Sequence, residues 1–257
     1  MSTDHAEVRA DVLAANLAEV TARIVAAARA AGRGADDVTL IGVSKTFPAS
    51  DVRLLYDLGV RDFGENRDQE AAGKAAELRA GGIEPRWHFV GQLQRNKAAS
   101  VARYAAVVHS VDRVQLADAL ARAAGAAGRT LDVLVQVSLD ELAEPAEPAE
   151  PDGKPGTAGR AGAVAADVGP LAEHIAGLAG LRLAGVMGLA PPGGDPDRAF
   201  GRLVVQAEAV RAVAAAAQCI SAGMSADLEA AIRHGATHVR VGTALFGDRP
   251  LMSEHVR

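Results

Sequence analysis

Lys45 stands directly after the apolar run Val38-Thr39-Leu40-Ile41-Gly42-Val43-Ser44, and it opens the loop Lys45-Thr46-Phe47-Pro48. A lysine at the end of a buried strand loses water from its amine. Desolvation favours the neutral form, which attacks carbonyl carbons. An ordinary loop lysine would occupy the same position, so the amine acquires meaning only with a partner. Far along the chain, Ser221-Ala222-Gly223-Met224-Ser225 reads as a turn leading into a helix that Ser225 could N-cap, with Asp227 in its first turn. Gly242-Thr243-Ala244 follows another apolar run and suits the start of a short helical turn. Backbone N–H groups and small hydroxyls in such turns hold anions, although plain Gly/Ser turns share the same composition. Between the two turns, Arg240 alternates with Val239 and Val241, so in a strand it points opposite to both. A buried guanidinium needs an acceptor. Glu65 would supply one as a carboxylate, and a ring nitrogen of a ligand would supply another.

Something must bring these positions together, and the apolar patterning supplies it. Short Val/Ile/Leu-rich runs occur at 38–44, 60–63, 86–90, 106–109, 131–137, 181–186, 218–221 and 238–241. Helical stripes separate most of them, for example Leu54, Leu55 and Leu58 stopping at Gly59, and Val114, Leu116, Ala117, Leu120 and Ala124 stopping at Gly125. Strands alternating with helices, several of them nearly continuously apolar, predict a closed parallel (β/α)₈ TIM barrel. An open doubly wound sheet is the competitor, but no GxGxxG follows the first strand. Ahead of the barrel, Val8, Val12, Leu13, Leu17, Val20, Ile24, Val25 and Ala28 predict an extra N-terminal helix within residues 1–34. All 257 residues are assigned to a single domain. Residues 141–162, ELAEPAEPAEPDGKPGTAGRAG, repeat AEP three times before a Gly/Pro-rich run, and are expected to form a mobile acidic loop inserted after the fifth strand. Little structure is expected for the terminal MSEHVR.

Composition excludes several function classes. The net charge of −5, with lysine and arginine scattered, gives no basic surface for nucleic acid. No apolar run is long enough to span a bilayer, and no signal-peptide pattern opens the chain, so a cytoplasmic protein is expected. The single cysteine, Cys219, excludes an internal disulfide framework, fits a reducing compartment and reads as a small core residue. No cluster has metal-ligand spacing.

In a barrel the C-terminal strand ends converge on one mouth, and loops after strands seven and eight are the usual phosphate site. Those ends place Lys45, Asn66, His88, His109, Gln136, Met187, Ser221, Arg240, Gly242 and Thr243 around one opening. A carbonyl for Lys45, a phosphate for Ser225, Gly242 and Thr243, and a ring nitrogen for Arg240 together describe pyridoxal 5′-phosphate (PLP).

At these residues the sequence strongly resembles the pyridoxal phosphate homeostasis family, single-domain relatives of the alanine racemase N-terminal barrel. The matching motifs are IGVSKTFPA around Lys45, FGENRDQE at 63–70, WHFVGQLQRNK at 87–97, SVDR at 110–113, VLVQVSLD at 133–140, GVMGLAP at 185–191, SAGMSADLEAAI at 221–232 and VRVGTALFG at 239–247. They run in order along nearly the whole chain. The resemblance implies PLP bound covalently to Lys45, phosphate contacts from Ser225, Gly242 and Thr243, and a ring-nitrogen contact from Arg240. It implies that Asn66, His88, Met187 and Ser221 surround the cofactor. Arg67 stands where many relatives carry an aromatic residue, and the AEP insertion replaces a short turn.

Two functions compete. A carrier would hold PLP, limit the free aldehyde and pass it to apo-enzymes, acting as a monomer. A racemase would need a second base on the opposite face of the bound substrate. In the racemase relatives that base is a tyrosine from an additional C-terminal domain. This chain has only Tyr56, expected in the helix after strand one, and Tyr104, expected at the far end of strand four. Only residues 246–257 follow the last strand motif, too few for such a domain. His88 or His109 would have to supply the proton instead. An arginine opposite the ring nitrogen also leaves that nitrogen unprotonated, which weakens the ring as an electron sink. A cofactor-free Schiff-base aldolase, with the arginine and the turns holding a sugar phosphate, is a third and weaker reading. The non-catalytic carrier is the expected function.

Overall fold

The computed structural model describes residues 3–140 and 162–248. The expected AEP loop, apart from Gly162, and the terminal MSEHVR lie outside them. The chain opens with helix α1 (Thr3–Ala30), followed by β1 (Thr39–Val43), α2 (Ala49–Asp57), β2 (Asp62–Glu65), α3 (Asp68–Ala80) and β3 (Arg86–Phe89). It continues through α4 (Ala98–Tyr104), β4 (Val107–Val111), α5 (Val114–Ala126), β5 (Leu131–Val137), α6 (Ala165–Ala176) and β6 (Leu181–Gly188). The last elements are α7 (Pro196–Val213), β7 (Cys219–Ser221), α8 (Leu228–Arg233), β8 (His238–Val241) and the single turn α9 (Thr243–Phe246). The strands form a closed barrel in sequence order, every neighbour parallel, and β1 closes onto β8 with Ile41 opposite Arg240. The expected (β/α)₈ architecture is the one observed.

Strand parity decides what faces where. Phe63, Trp87, Val133, Val135, Val239 and Val241 point outward into the main core beneath the helices, against Leu55, Leu78, Leu116, Leu120 and Ile175. The alternate positions point inward. There Val107, Leu134 and Met187 form a small separate apolar cluster. Polar groups occupy much of the remaining interior: Asp62, His88, His109, Gln136, Ser221 and Arg240.

Helix α1 is narrower in its apolar face than the sequence pattern implies. Leu13, Val20, Ile24 and Ala28 are buried, whereas Val8, Val12 and Val25 are exposed, because each is turned about 100° or more from the centre of the buried stripe. Polar side chains of α1 reach the final elements of the barrel. Asn16 donates to Leu245 O at 3.0 Å and Arg9 to Phe246 O at 2.9 Å. Arg23 donates to Ser225 O at 2.8 Å and pairs with Glu229 at 2.7 Å. The first helix therefore straps down the turns that follow β7 and β8.

Gly223 in the β7 turn has φ +88°, and a Cβ there would meet Ala231 Cβ at 2.6 Å and Leu228 Cα at 3.0 Å. The turn lies directly on α8, with no room for a side chain. Gly223→Ala is expected to cost about 2 kcal/mol or more from the left-handed backbone and the overlap combined. An unchanged urea midpoint would show that the turn relaxes freely.

Candidate functional site

At the C-terminal ends of the strands a cavity of about 610 Å³ opens, bounded by the ends of β1, β2, β5, β6 and β8 and the turns after β7 and β8. Seven of the nine residues expected at the site line it: Lys45, Asn66, Met187, Ser225, Arg240, Gly242 and Thr243. His88 and Ser221 do not. They lie beneath it, inside the barrel.

Lys45 continues the inward parity of Ile41 and Val43, which carries its amine to the mouth. The side chain is half-buried, and among the described residues nothing hydrogen-bonds or pairs with it. Its backbone neighbours are held firmly. Ser44 Oγ donates to Glu65 Oε1 at 2.7 Å, and Lys74 Nζ donates to Ser44 O at 2.6 Å. The Thr46 N–H, at a residue with φ +70°, donates to Glu70 Oε1 at 2.5 Å. Lys74 also pairs with Glu65 at 2.6 Å and Glu70 at 2.8 Å, so its three protons have three acceptors. Burial nevertheless holds the Glu65 carboxyl above the usual carboxylate range, against the opposing pull of Lys74 and Ser44. This cluster corrects one sequence expectation: Glu65 is not the partner of Arg240. Glu65 shares the outward parity of Phe63, whereas Arg240 points inward, so the barrel wall separates them.

Arg240 is buried. Its guanidinium donates to Ser221 Oγ at 2.5 Å and to Gly188 O at 2.9 Å. Neither acceptor is charged, and desolvation brings its pKa down to about 10. A cation under the cavity floor without a carboxylate hydrogen-bonded to it, among the described residues, leaves donors available for an acceptor from outside the chain.

The turns after β7 and β8 close the opposite wall. Ser225 does not N-cap α8. That position falls to Asp227, whose carboxylate turns back to accept the Met224 N–H at 2.6 Å. Ser225 Oγ instead accepts the Ala244 N–H at 3.3 Å, joining the two turns. The Arg240 N–H to Gly223 O bond, at 2.9 Å, ties the β7 turn to β8 through the backbone. Among the described residues, the amides of Ser225, Ala226 and Thr243 have no acceptor within the chain, and all three residues line the cavity. Phe47 and Phe246 stack at 4.9 Å between ring centroids, which couples the Lys45 loop to α9.

Asn66 lines the cavity with a buried Oδ1 that lacks a partner among the described residues, and Met187 packs into the floor. Beneath Arg240, Ser221 Oγ lies 3.0 Å from His109 Nδ1. His109 Nε2 lies 2.9 Å from His88 Nδ1, and His88 Nε2 lies 2.8 Å from Asp62 Oδ1. Burial holds both imidazoles below their ordinary pKa. Cys219 faces the same interior, its thiol pushed up to about 11 by burial. Sequence reading overlooked Lys74 and Asp62. The Glu70–Lys74 spacing was the available signal for the first, but it is indistinguishable from a solvated helix pair. Asp62 gave none.

Comparison with known proteins agrees with the geometry. Residues 15–250 match the alanine racemase N-terminal domain family. The chain is 44% identical over 253 residues to the pyridoxal phosphate homeostasis protein of Mycobacterium tuberculosis strain H37Rv, covering 92% of this chain and 93% of that protein. It is 36% identical over 243 residues to the protein of the same name in Escherichia coli K12, covering 92% and 97%. Among solved structures, PipY of Synechococcus elongatus PCC7942 with PLP bound superposes with a TM-score of 0.75 at 33% identity, over 91% of this chain and all of that one. Alanine racemase of Corynebacterium glutamicum, at 16% identity and a TM-score of 0.65, covers 96% of this chain but only 63% of its own, and shares the fold. The chain belongs to the pyridoxal phosphate homeostasis protein family, built on the alanine racemase N-terminal barrel.

Proposed function

We propose that this protein binds PLP covalently through Lys45 and holds it in reserve, without turning over a substrate, acting as a monomer that passes the cofactor to apo-enzymes. One observation carries the reading. Among the described residues, a lysine amine without a partner, a buried arginine without a carboxylate on it, and three amides without acceptors face a single cavity of about 610 Å³. PLP supplies an aldehyde that condenses reversibly with a primary amine, a phosphate dianion and a pyridine nitrogen. The residues fit each part. Lys45 provides the amine, and the Ser225, Ala226 and Thr243 amides with the Ser225 and Thr243 hydroxyls provide anion donors at Gly242. Arg240 would provide an N–H for the ring nitrogen, and Met187 and Asn66 line the same cavity.

Absence of turnover is supported by what surrounds Lys45. Among the described residues lining the cavity there is no tyrosine, histidine or cysteine, and Asp140 is the one carboxylate. His88 and His109 lie below Arg240 with both ring nitrogens engaged, and neither Tyr56 nor Tyr104 reaches the cavity. Racemisation needs a base on each face of the substrate, and no tyrosine or histidine of this set supplies the second.

Apoprotein titrated with PLP is expected to turn yellow with one equivalent bound, and borohydride is expected to fix that equivalent on the Lys45 peptide. Alanine and serine are expected to keep their chirality over long incubation. A colourless protein refutes the cofactor reading, and Lys45-dependent racemisation transfers the protein to the enzyme class.

A further inference from the structure

The polar chain under the cavity has a direction, and the direction follows from proton counting. Five inward positions on five strands make four consecutive hydrogen bonds: Arg240 to Ser221 (2.5 Å), Ser221 to His109 (3.0 Å), His109 to His88 (2.9 Å) and His88 to Asp62 (2.8 Å). Arginine only donates, and an ionised carboxylate only accepts. Burial pushes the Asp62 carboxyl upward, but the His88 hydrogen bond and the surrounding positive charge outweigh it, so Asp62 sits below its ordinary range and is ionised. A hydroxyl and two neutral imidazoles between these ends contribute one proton each, which fills all four links only if every group donates towards Asp62. Ser221 Oγ accepts from Arg240 and donates to His109 Nδ1. Both histidines then carry their proton on Nε2. The opposite tautomer at either ring would set two donors or two acceptors face to face inside the barrel.

We propose that Asp62, His88, His109 and Ser221 are positioning residues for Arg240, fixing its guanidinium as a donor that faces the cavity. The inference rests on the cofactor reading for what Arg240 meets there, the pyridine nitrogen of PLP. Ser221 and Gly188 O engage two of the five guanidinium N–H groups, leaving three on a side chain that lines the cavity. The chain also runs the wrong way to deliver a proton upward. Every link already donates away from the mouth, so protonating the ring nitrogen would require both tautomers to invert. The ring nitrogen therefore stays an acceptor, which suits storage of the cofactor rather than carbanion chemistry.

Nitrogen-15 NMR of histidine-labelled apoprotein at neutral pH reads the direction without any cofactor. His88 and His109 are expected as neutral Nε2–H tautomers. Asp62→Asn replaces the terminal acceptor by a group that can also donate, and is expected to introduce the Nδ1–H tautomer at His88 and His109. It is expected to weaken PLP binding about threefold to tenfold while the yellow colour at saturation persists. Ser221→Ala cuts the chain beside Arg240, and is expected to weaken PLP binding about tenfold with the His109 and His88 tautomers unchanged. Far-ultraviolet circular dichroism establishes that each variant is folded. A purely structural role for these residues does not couple a carboxylate below the floor to a ring tautomer above it. An Nδ1–H tautomer at either histidine in the unsubstituted protein overturns the directed chain. Unchanged PLP affinity in both folded variants overturns the positioning role. Expected tautomers in a protein that binds no PLP leave the chain standing and overturn the ring-nitrogen contact together with the cofactor reading.

Discussion

Lys45→Ala is expected to leave a folded, colourless protein that retains no PLP after borohydride treatment and denaturation. Lys45 is the only lysine among the described residues lining the cavity, so no neighbouring amine substitutes for it. Half-buried and without a partner among the described residues, it contributes little to the fold, and stability is expected to stay within about 0.5 kcal/mol of the parent. Arg240 and the amides of the two turns remain, so PLP is expected to bind weakly and reversibly. Equilibrium dialysis measures that residue, and mass spectrometry of the reduced protein measures covalent retention. Stoichiometric cofactor on the alanine variant would move the attachment point to another lysine.

Lys74→Met is expected to be the most destabilising single change, at about 3–5 kcal/mol, because it leaves the buried Glu65 carboxylate without its cation. Glu65→Leu combined with Lys74→Met removes both charges and is expected to recover most of the loss, as a buried ion pair and an apolar pair are often near-equivalent. The pH dependence has a definite sign. The folded state already holds the Glu65 carboxyl above its ordinary value, chiefly through burial, and loss of Lys74 raises it further. Between the unfolded and folded pKa values the native state binds the extra proton, so stability rises as pH falls through that window. The deficit is thus largest at neutral pH and shrinks towards the ordinary carboxylate range. Urea midpoints at neutral and mildly acidic pH read this directly, and a pH-independent loss below about 1 kcal/mol would show that water reaches Glu65. Because the cluster grips Ser44 and Thr46 on either side of Lys45, the same variant is expected to slow covalent capture of PLP.

The architecture was legible because strand–helix alternation survives errors in strand boundaries. β2 was placed at 60–63 and lies at Asp62–Glu65, a shift of two that preserves which side chains face inward. Arg240 was legible for the same reason, since parity within Val239-Arg240-Val241 fixes its face whatever its partner. Parity was not carried through to Glu65, which left an across-the-wall pairing that the barrel forbids. Ser225 was found as a site residue for an incomplete reason: a serine before a helix reads as a cap, and nothing local announces that its hydroxyl serves a neighbouring turn instead. His88 was expected at the mouth because it stands late in its strand. Its bond to Asp62 turns it towards the other end of the barrel, a long-range pairing that no local pattern encodes.

Helix α1 imposes an order in time. Its docking partners, Ser225, Glu229, Leu245 and Phe246, lie more than 200 residues downstream of Arg9, Asn16 and Arg23. β1 likewise waits for β8 before its second edge is paired. During synthesis the leading segment therefore leaves the ribosome long before the distal part of its binding surface exists, at about 5–20 residues per second. For that interval α2, which Arg9 grips through Asp51, offers α1 only part of its native surface. The newborn chain must carry an incompletely docked helix until the last strand closes the ring, and that last stretch both seals the barrel and completes the cavity wall.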